Sequence, residues 1–227
     1  MRSRPRRPWA VVSTVAAGVW ALFLLPPQVA VWSGAGAPGW LLRLDALAFY
    51  EGLRGALHGV GLTDDYLVFG AAATLSFALL WWGTGPALAR LGWRGRLVSA
   101  LLLVTGLLTL LSYLNHPSDA PLHFLWGAEA FGLIAVGVVG AIAAFAPRRT
   151  RIPIWERILL ALTLPIEFAA TALLSYYPHG TLVGLAVVGT VLAGYAPRAA
   201  EVSPVTPLPG AADSAGDAGR ARSTLGM

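Results

Sequence analysis

Two glutamic acids stand inside long apolar blocks: Glu129 between Leu122 and Ala146, and Glu167 between Ile154 and Ser175. An ionisable group at the centre of a membrane span costs about 2.5–3.5 kcal/mol on insertion scales, so such a group usually faces the interior of a bundle and often has a function. Glu129 lies eight residues after Pro121 and Glu167 eight before Ser175. At 1.5 Å rise per residue each would sit about 12 Å in from one membrane face. Two antiparallel neighbours would then bring both carboxyls to one depth, as a buried acid pair sharing a proton. Such a pair suits proton coupling, cation binding or acid–base catalysis. The plainer alternative is that each is neutral and hydrogen-bonded. Glu167 has Thr163 and Thr171 four residues to either side, and Pro165 frees a backbone carbonyl nearby.

A second set consists of histidines. His58, His116, His123 and His179 all fall in, or next to, segments expected on the outer side, and Asp119 stands between two of them. His116, Asp119, His123 and His179 are candidate ligands of a divalent metal. The spacing matches no metal motif, and Asp119 is equally placed to cap the helix that Pro121 would open. A bis-histidine haem is not expected, since only His123 falls within a span. The chain has no cysteine, which excludes iron–sulfur clusters, c-type haem attachment, disulfides and a cysteine nucleophile. It holds no phosphate-binding loop, dinucleotide-binding glycine pattern, HExxH or nucleophile elbow.

These residues need elements to hold them. Of 227 residues, 56% are hydrophobic and 12% charged, about half the charge of a soluble domain. The apolar residues form blocks of membrane-spanning length. Six spans are expected, at about 9–32, 66–83, 97–114, 122–146, 154–175 and 180–195, in an all-α bundle occupying residues 1–196. A disordered cytosolic tail over 197–227 follows, rich in Pro, Ala, Gly, Ser and Asp. The first block could instead end in a cleaved signal at Ala35-Gly36-Ala37, but its length and Pro38 favour an uncleaved helix. Pro26 and Pro27 should kink it or end its regular part.

Arginines mark one side. Arg2, Arg4, Arg6 and Arg7 precede the first span, Arg90, Arg94 and Arg96 follow the second, Arg148, Arg149 and Arg151 follow the fourth, and Arg198 follows the sixth. The opposite side has only Arg43 and Arg54. The basic bias places both termini in the cytosol, in a bacterial-type plasma membrane. It also explains the net charge of +5 without nucleic acid. Within the loop from Ser33 to Asp65, Trp40 to His58 reads as one helix. Arg43, Glu51, Arg54 and His58 gather on one face and Leu41, Leu44, Phe49, Leu53 and Leu57 elsewhere, as in a helix lying in the membrane interface.

Small residues at Ala128, Gly132, Gly140 and Ala144, and at Gly184, Gly189 and Gly194, allow close helix contact within the bundle, between copies, or with a protein partner. Trp81, Trp82, Trp93, Trp126, Tyr176 and Tyr177 suit membrane interfaces. The leading functional expectation is a bundle with an outward-facing pocket. Glu129 and Glu167 would form its floor and the histidines its mouth, binding a cation or small polar ligand. Glu156, beside Arg157, reads as a boundary pair, and no charged path leads from the carboxyls to the cytosol. The alternatives are an enzyme acting on a lipid or lipid-linked substrate at the outer leaflet, and a non-catalytic assembly subunit.

Overall fold

Long, mostly apolar blocks produce helices, and the computed structural model is helical, without strands, over the residues it describes, 8–145, 152–174 and 178–194. Its helices are α1 (Pro8–Ser33), α2 (Gly39–Asp45), α3 (Ala48–Gly59), α4 (Ala71–Leu88), α5 (Trp93–Leu114), α6 (Glu129–Ala144), α7 (Ile154–Ala161), α8 (Thr163–Leu174) and α9 (His179–Gly194). A π-type turn, Tyr66–Gly70, leads into α4 and a 3₁₀ turn, Ala89–Leu91, extends it. Four segments are long and apolar enough to cross a membrane: Pro8–Ser33, Tyr66–Leu91, Trp93–Leu114 and His123–Ala144. The bent pair α7–α8 makes a fifth if counted as one span, and α9 is a shorter apolar helix of 16 residues.

The long helices alternate in direction. Trp9 stacks on Trp82 at one end of the bundle (5.1 Å between ring centroids), and the Tyr66 hydroxyl reaches the Val31 carbonyl at the other (3.4 Å). These are called the Arg90 end and the Tyr66 end. Around the bundle the neighbours run α1, α4, α5, α6, α7–α8, α9 and back to α1, with α9 also touching α4. Ala17, Ala21, Phe77, Leu80, Leu133, Val136 and Leu182 lie in the shared core.

Backbone chemistry explains the breaks. Pro165 has no N–H for the Ala161 carbonyl and its ring crowds that group, so α7 stops at Ala161 and α8 leaves it at 51°. Pro26 and Pro27 do not end α1, which runs on to Ser33. The Phe23 carbonyl that Pro27 leaves without its helical donor accepts instead from the Tyr50 hydroxyl at 2.6 Å.

That bond also corrects the expected single interfacial helix. The segment is two helices broken at Ala46–Leu47, and α2 turns back along α1, packing Leu41 with Leu25 and Val29. Tyr50 meets α1 ten residues before its end, about 15 Å along the axis. The segment is therefore a broken pair of helices held against α1 through Leu41 and Tyr50. Its two arms are joined by the Arg54–Asp45 ion pair, and Asp65 then meets Arg54 (3.5 Å) and His58 (3.4 Å). Burial and, next, the Asp45 charge raise the pKa of the Tyr50 phenol.

The small residues are used inside the bundle. A Cβ at Gly132 would meet Thr105 of α5, one at Gly140 would touch Thr163, and one at Gly184 would meet Ile166 and Ala170. The arginines Arg2, Arg4, Arg6, Arg7, Arg148, Arg149, Arg151 and Arg198, the pair Tyr176-Tyr177, the end of the fourth block at Ala146 and the tail 197–227 lie outside the described residues.

Candidate functional site

Glu129 sits higher in the bundle than its distance from Pro121 suggests. Residues 121–128 are turns with one short 3₁₀ segment, His123–Leu125, and α6 starts only at Glu129 itself. The cause is local: Gly127 adopts φ 82°, a left-handed conformation that breaks a helix. Asp119, exposed and ten residues upstream, is therefore not the cap of α6, whose N-cap is Ala128. Ser112 on α5 organises the corner. Its hydroxyl accepts from the Gly127 N–H (2.9 Å) and donates to the Glu129 carboxylate. Glu129 is 3% exposed, and its Oε2 is buried with no hydrogen-bond partner among the described residues.

Glu167 occupies a different environment. Its Oε2 lies against the bare backbone of Gly137, where an added Cβ would be 2.7 Å away. Gly137 is eight residues beyond Glu129, about 12 Å along α6. The two carboxyls are thus set at separate levels with separate neighbours, and the shared-depth pair is not what this fold builds. The shift follows from the late start of α6, which removes two turns from the expected helix.

Glu167 is 3% exposed, and its Oε1 is buried without a partner among the described residues. The flanking threonines do not satisfy it. Thr163 donates to the Leu159 carbonyl (3.3 Å) and Thr171 bonds the backbone carbonyl of Glu167 (2.9 Å). Beside the carboxyl is a cavity of about 170 Å³ between α6 and α8. Leu133, Ile134, Leu164 and Phe168 form apolar walls, and Thr171 and Thr181, whose hydroxyls are 2.6 Å apart, add a polar patch. Ile134 and Phe168 are also exposed on the bundle surface, so the crevice opens sideways.

The histidines stay apart. His116 Nδ1 lies 3.0 Å from the Tyr113 carbonyl, which requires that nitrogen to carry the hydrogen, and Nε2 lies 3.5 Å from Asp64. Its ring stacks on Tyr66 and touches Trp126. His123 Nδ1 meets the Asn115 carbonyl at 3.2 Å. His179, the first residue of α9, is fully buried. Among the described residues no three His, Asp or Glu side chains come together as a metal-holding group. The set His116, Asp119, His123 and His179 is not assembled around one centre.

Sequence reasoning passed over Glu156. It is 1% exposed, bonded through Oε1 to Arg90 (3.1 Å), with Oε2 buried and without a hydrogen-bond partner among the described residues. Arg157 and Arg94 meanwhile donate to the Ala144 and Phe145 carbonyls that end α6. The signal was present: Glu156, Leu160, Thr163 and Glu167 recur at helical spacing, and all four are buried. Glu156 therefore belongs to an inward face, beyond its charge pair at a boundary.

Searches against protein-family models, characterised proteins and solved structures return no match for the chain.

Proposed function

We propose that this is a six-span plasma-membrane protein with both termini cytosolic, which binds a small amphipathic cation in the crevice between α6 and α8, with Glu167 as the anchoring carboxylate. The orientation is supported by charge. Arg90, Arg94, Arg96 and Arg157 gather at one end of the bundle, whereas Arg43 and Arg54 belong to the α2–α3 segment at the other. Basic residues next to span ends favour the cytosol. On this reading the α2–α3 segment, the 115–128 loop and His179 are outside.

The observation that carries the ligand reading is the Glu167 carboxyl, buried, with one oxygen without a hydrogen-bond partner among the described residues and bordering a cavity of about 170 Å³. A buried carboxylate without a donor is costly, and an ammonium placed there supplies both charge and hydrogen bonds. The apolar walls and sideways opening favour a cation with an apolar body arriving from the membrane. Thr171 and Thr181 would accept the remaining ammonium protons.

The test is calorimetric titration of dodecylamine into the protein in nanodiscs. Saturable binding that weakens at least about tenfold in Glu167→Gln, or about 1.4 kcal/mol, supports the assignment. Equal binding by a folded Glu167→Gln variant would overturn it.

A further inference from the structure

Buried polar groups line the inward side of α6, toward α5 at its start and toward α7–α8 further on. At the Tyr66 end is Glu129, held by Ser112. One turn on, Gly132 faces the Thr105 hydroxyl. Two turns beyond Glu129, Gly137 faces Glu167, and Gly140 then faces Thr163. At the Arg90 end, Arg157 is bonded to the Ala144 carbonyl, and the neighbouring Glu156 pairs with Arg90. The three carboxyls follow one another along the bundle: Glu129 and Gly137, which faces Glu167, are eight residues or about 12 Å apart on α6, and Glu156 lies at the Arg90 end. Each is at least nine-tenths buried, and each has one buried oxygen without a hydrogen-bond partner among the described residues.

Two cavities lie beside this part of α6. The one beside Glu167 reaches Ala130, adjacent to Glu129. The other, of about 30 Å³, lies between Thr84, Thr163 and Gly140 and extends to Leu88, two residues before Arg90. Roughly 10–15 Å³ is the room one water needs, and both cavities exceed it; Thr84 and Thr163 stand beside the smaller and Thr171 and Thr181 beside the larger.

We propose that this face of α6 is a proton path across the membrane, with Glu129, Glu167 and Glu156 as its successive proton carriers. Each carboxyl accepts a proton from one side and releases one to the other, through hydroxyl or water bridges, with no net redox change. Glu167 is the central relay, since no ion pair involves it or Glu129 among the described residues. Glu156, bonded to Arg90 at 3.1 Å, is the exchange group at the cytosolic end. The inference uses the membrane-crossing reading of α6 and goes beyond the amine site, because it needs no ligand.

The experiment reconstitutes the full chain in 3:1 phosphatidylethanolamine–phosphatidylglycerol vesicles containing a pH-sensitive dye. A valinomycin-clamped potassium gradient drives proton entry, with no amine present. Wild type should acidify the lumen at least about tenfold faster than protein-free vesicles. Glu167→Gln should fall to the protein-free rate, and Glu167→Asp should retain a measurable part. Glu51→Gln, an exposed carboxyl on α3 away from this face, should conduct like wild type. If Glu167→Gln does not fold, Glu129→Gln and Glu156→Gln provide the same reading, each slowing entry several-fold. Wild-type rates equal to protein-free vesicles, or full rates in the folded Gln variants, overturn the proposal. Neither result bears on dodecylamine binding.

Discussion

The seam between α1, α4 and α9 and the seam between α6 and α7–α8 use the same small and hydroxyl residues and reach opposite outcomes. In the first, every described cross-helix hydroxyl finds an acceptor. Ser13 donates to the Leu79 carbonyl (2.7 Å), Ser76 to Ala17 (3.2 Å), and Thr190 to the Thr14 hydroxyl (3.1 Å). Glycines there are closed over: a Cβ at Gly83 would lie 2.8 Å from the Ala10 carbonyl oxygen. In the second seam, Gly137 makes room for the Glu167 carboxyl, and carboxyl oxygens remain without hydrogen-bond partners among the described residues.

The difference follows from what a helix offers its neighbours. Backbone N–H groups are consumed within the helix, while each carbonyl keeps a second lone pair. A helical bundle is therefore rich in acceptors and poor in donors. Serine and threonine fit in it readily; a carboxylate needs a hydroxyl, an arginine, a bound cation or its own proton. Glu129 has Ser112 and Glu156 has Arg90, whereas Glu167 has a cavity. Polar residues in one seam hold the structure together, and those in the other are left available for chemistry.

The sharpest way to break this contrast is at Arg90. Arg90→Ala should destabilise the protein by about 3–5 kcal/mol, the cost of leaving a buried charge unpaired. Adding Glu156→Gln should recover most of that loss in a mixed-micelle unfolding titration. A null effect of Arg90→Ala would mean that Glu156 carries a proton and needs no partner.

Overpacking probes the closed seam next. Gly83→Val should cost about 1–3 kcal/mol in the same titration, because backbone and Thr14 stand in the way. Gly137→Ala tests the other seam. Its new methyl meets Glu167 Oε2 and Leu164, so it should weaken dodecylamine binding about tenfold, about 1.4 kcal/mol, at a smaller cost in stability than Gly83→Val. Smallest of all, Ser13→Ala should cost about 0.6 kcal/mol, the average for an interhelical hydrogen bond in a membrane protein. If Ser13→Ala equalled Gly83→Val, hydrogen bonding rather than close contact would be holding that seam.

Much of the architecture was legible in the residues. Blocks of apolar side chains specify helices of spanning length, and Pro165 explains the bend between α7 and α8 after the fact. Other features were hidden by competing local signals. Pro121 and Asp119 look like a helix start, yet Gly127 takes a positive φ and delays α6 by two turns, which separates Glu129 from Glu167. Trp40 to His58 has a helical pattern throughout, yet the proline-freed carbonyl of Phe23 captures Tyr50 and folds the segment back on α1. Glu156 was hidden by the Arg157 beside it, although Arg90, 66 residues earlier, is its partner.

By itself the sequence determined that this chain is helical, that it suits a membrane, and which ionisable residues lie within apolar blocks. Those properties follow from the hydropathy and local backbone preferences of neighbouring residues. Only the tertiary structure decided depth, facing and partnership: which carboxyl meets a serine, which an arginine and which a cavity. These depend on the rotation and register of each helix against helices far away in the chain, and a single turn of offset moves a side chain by 5.4 Å.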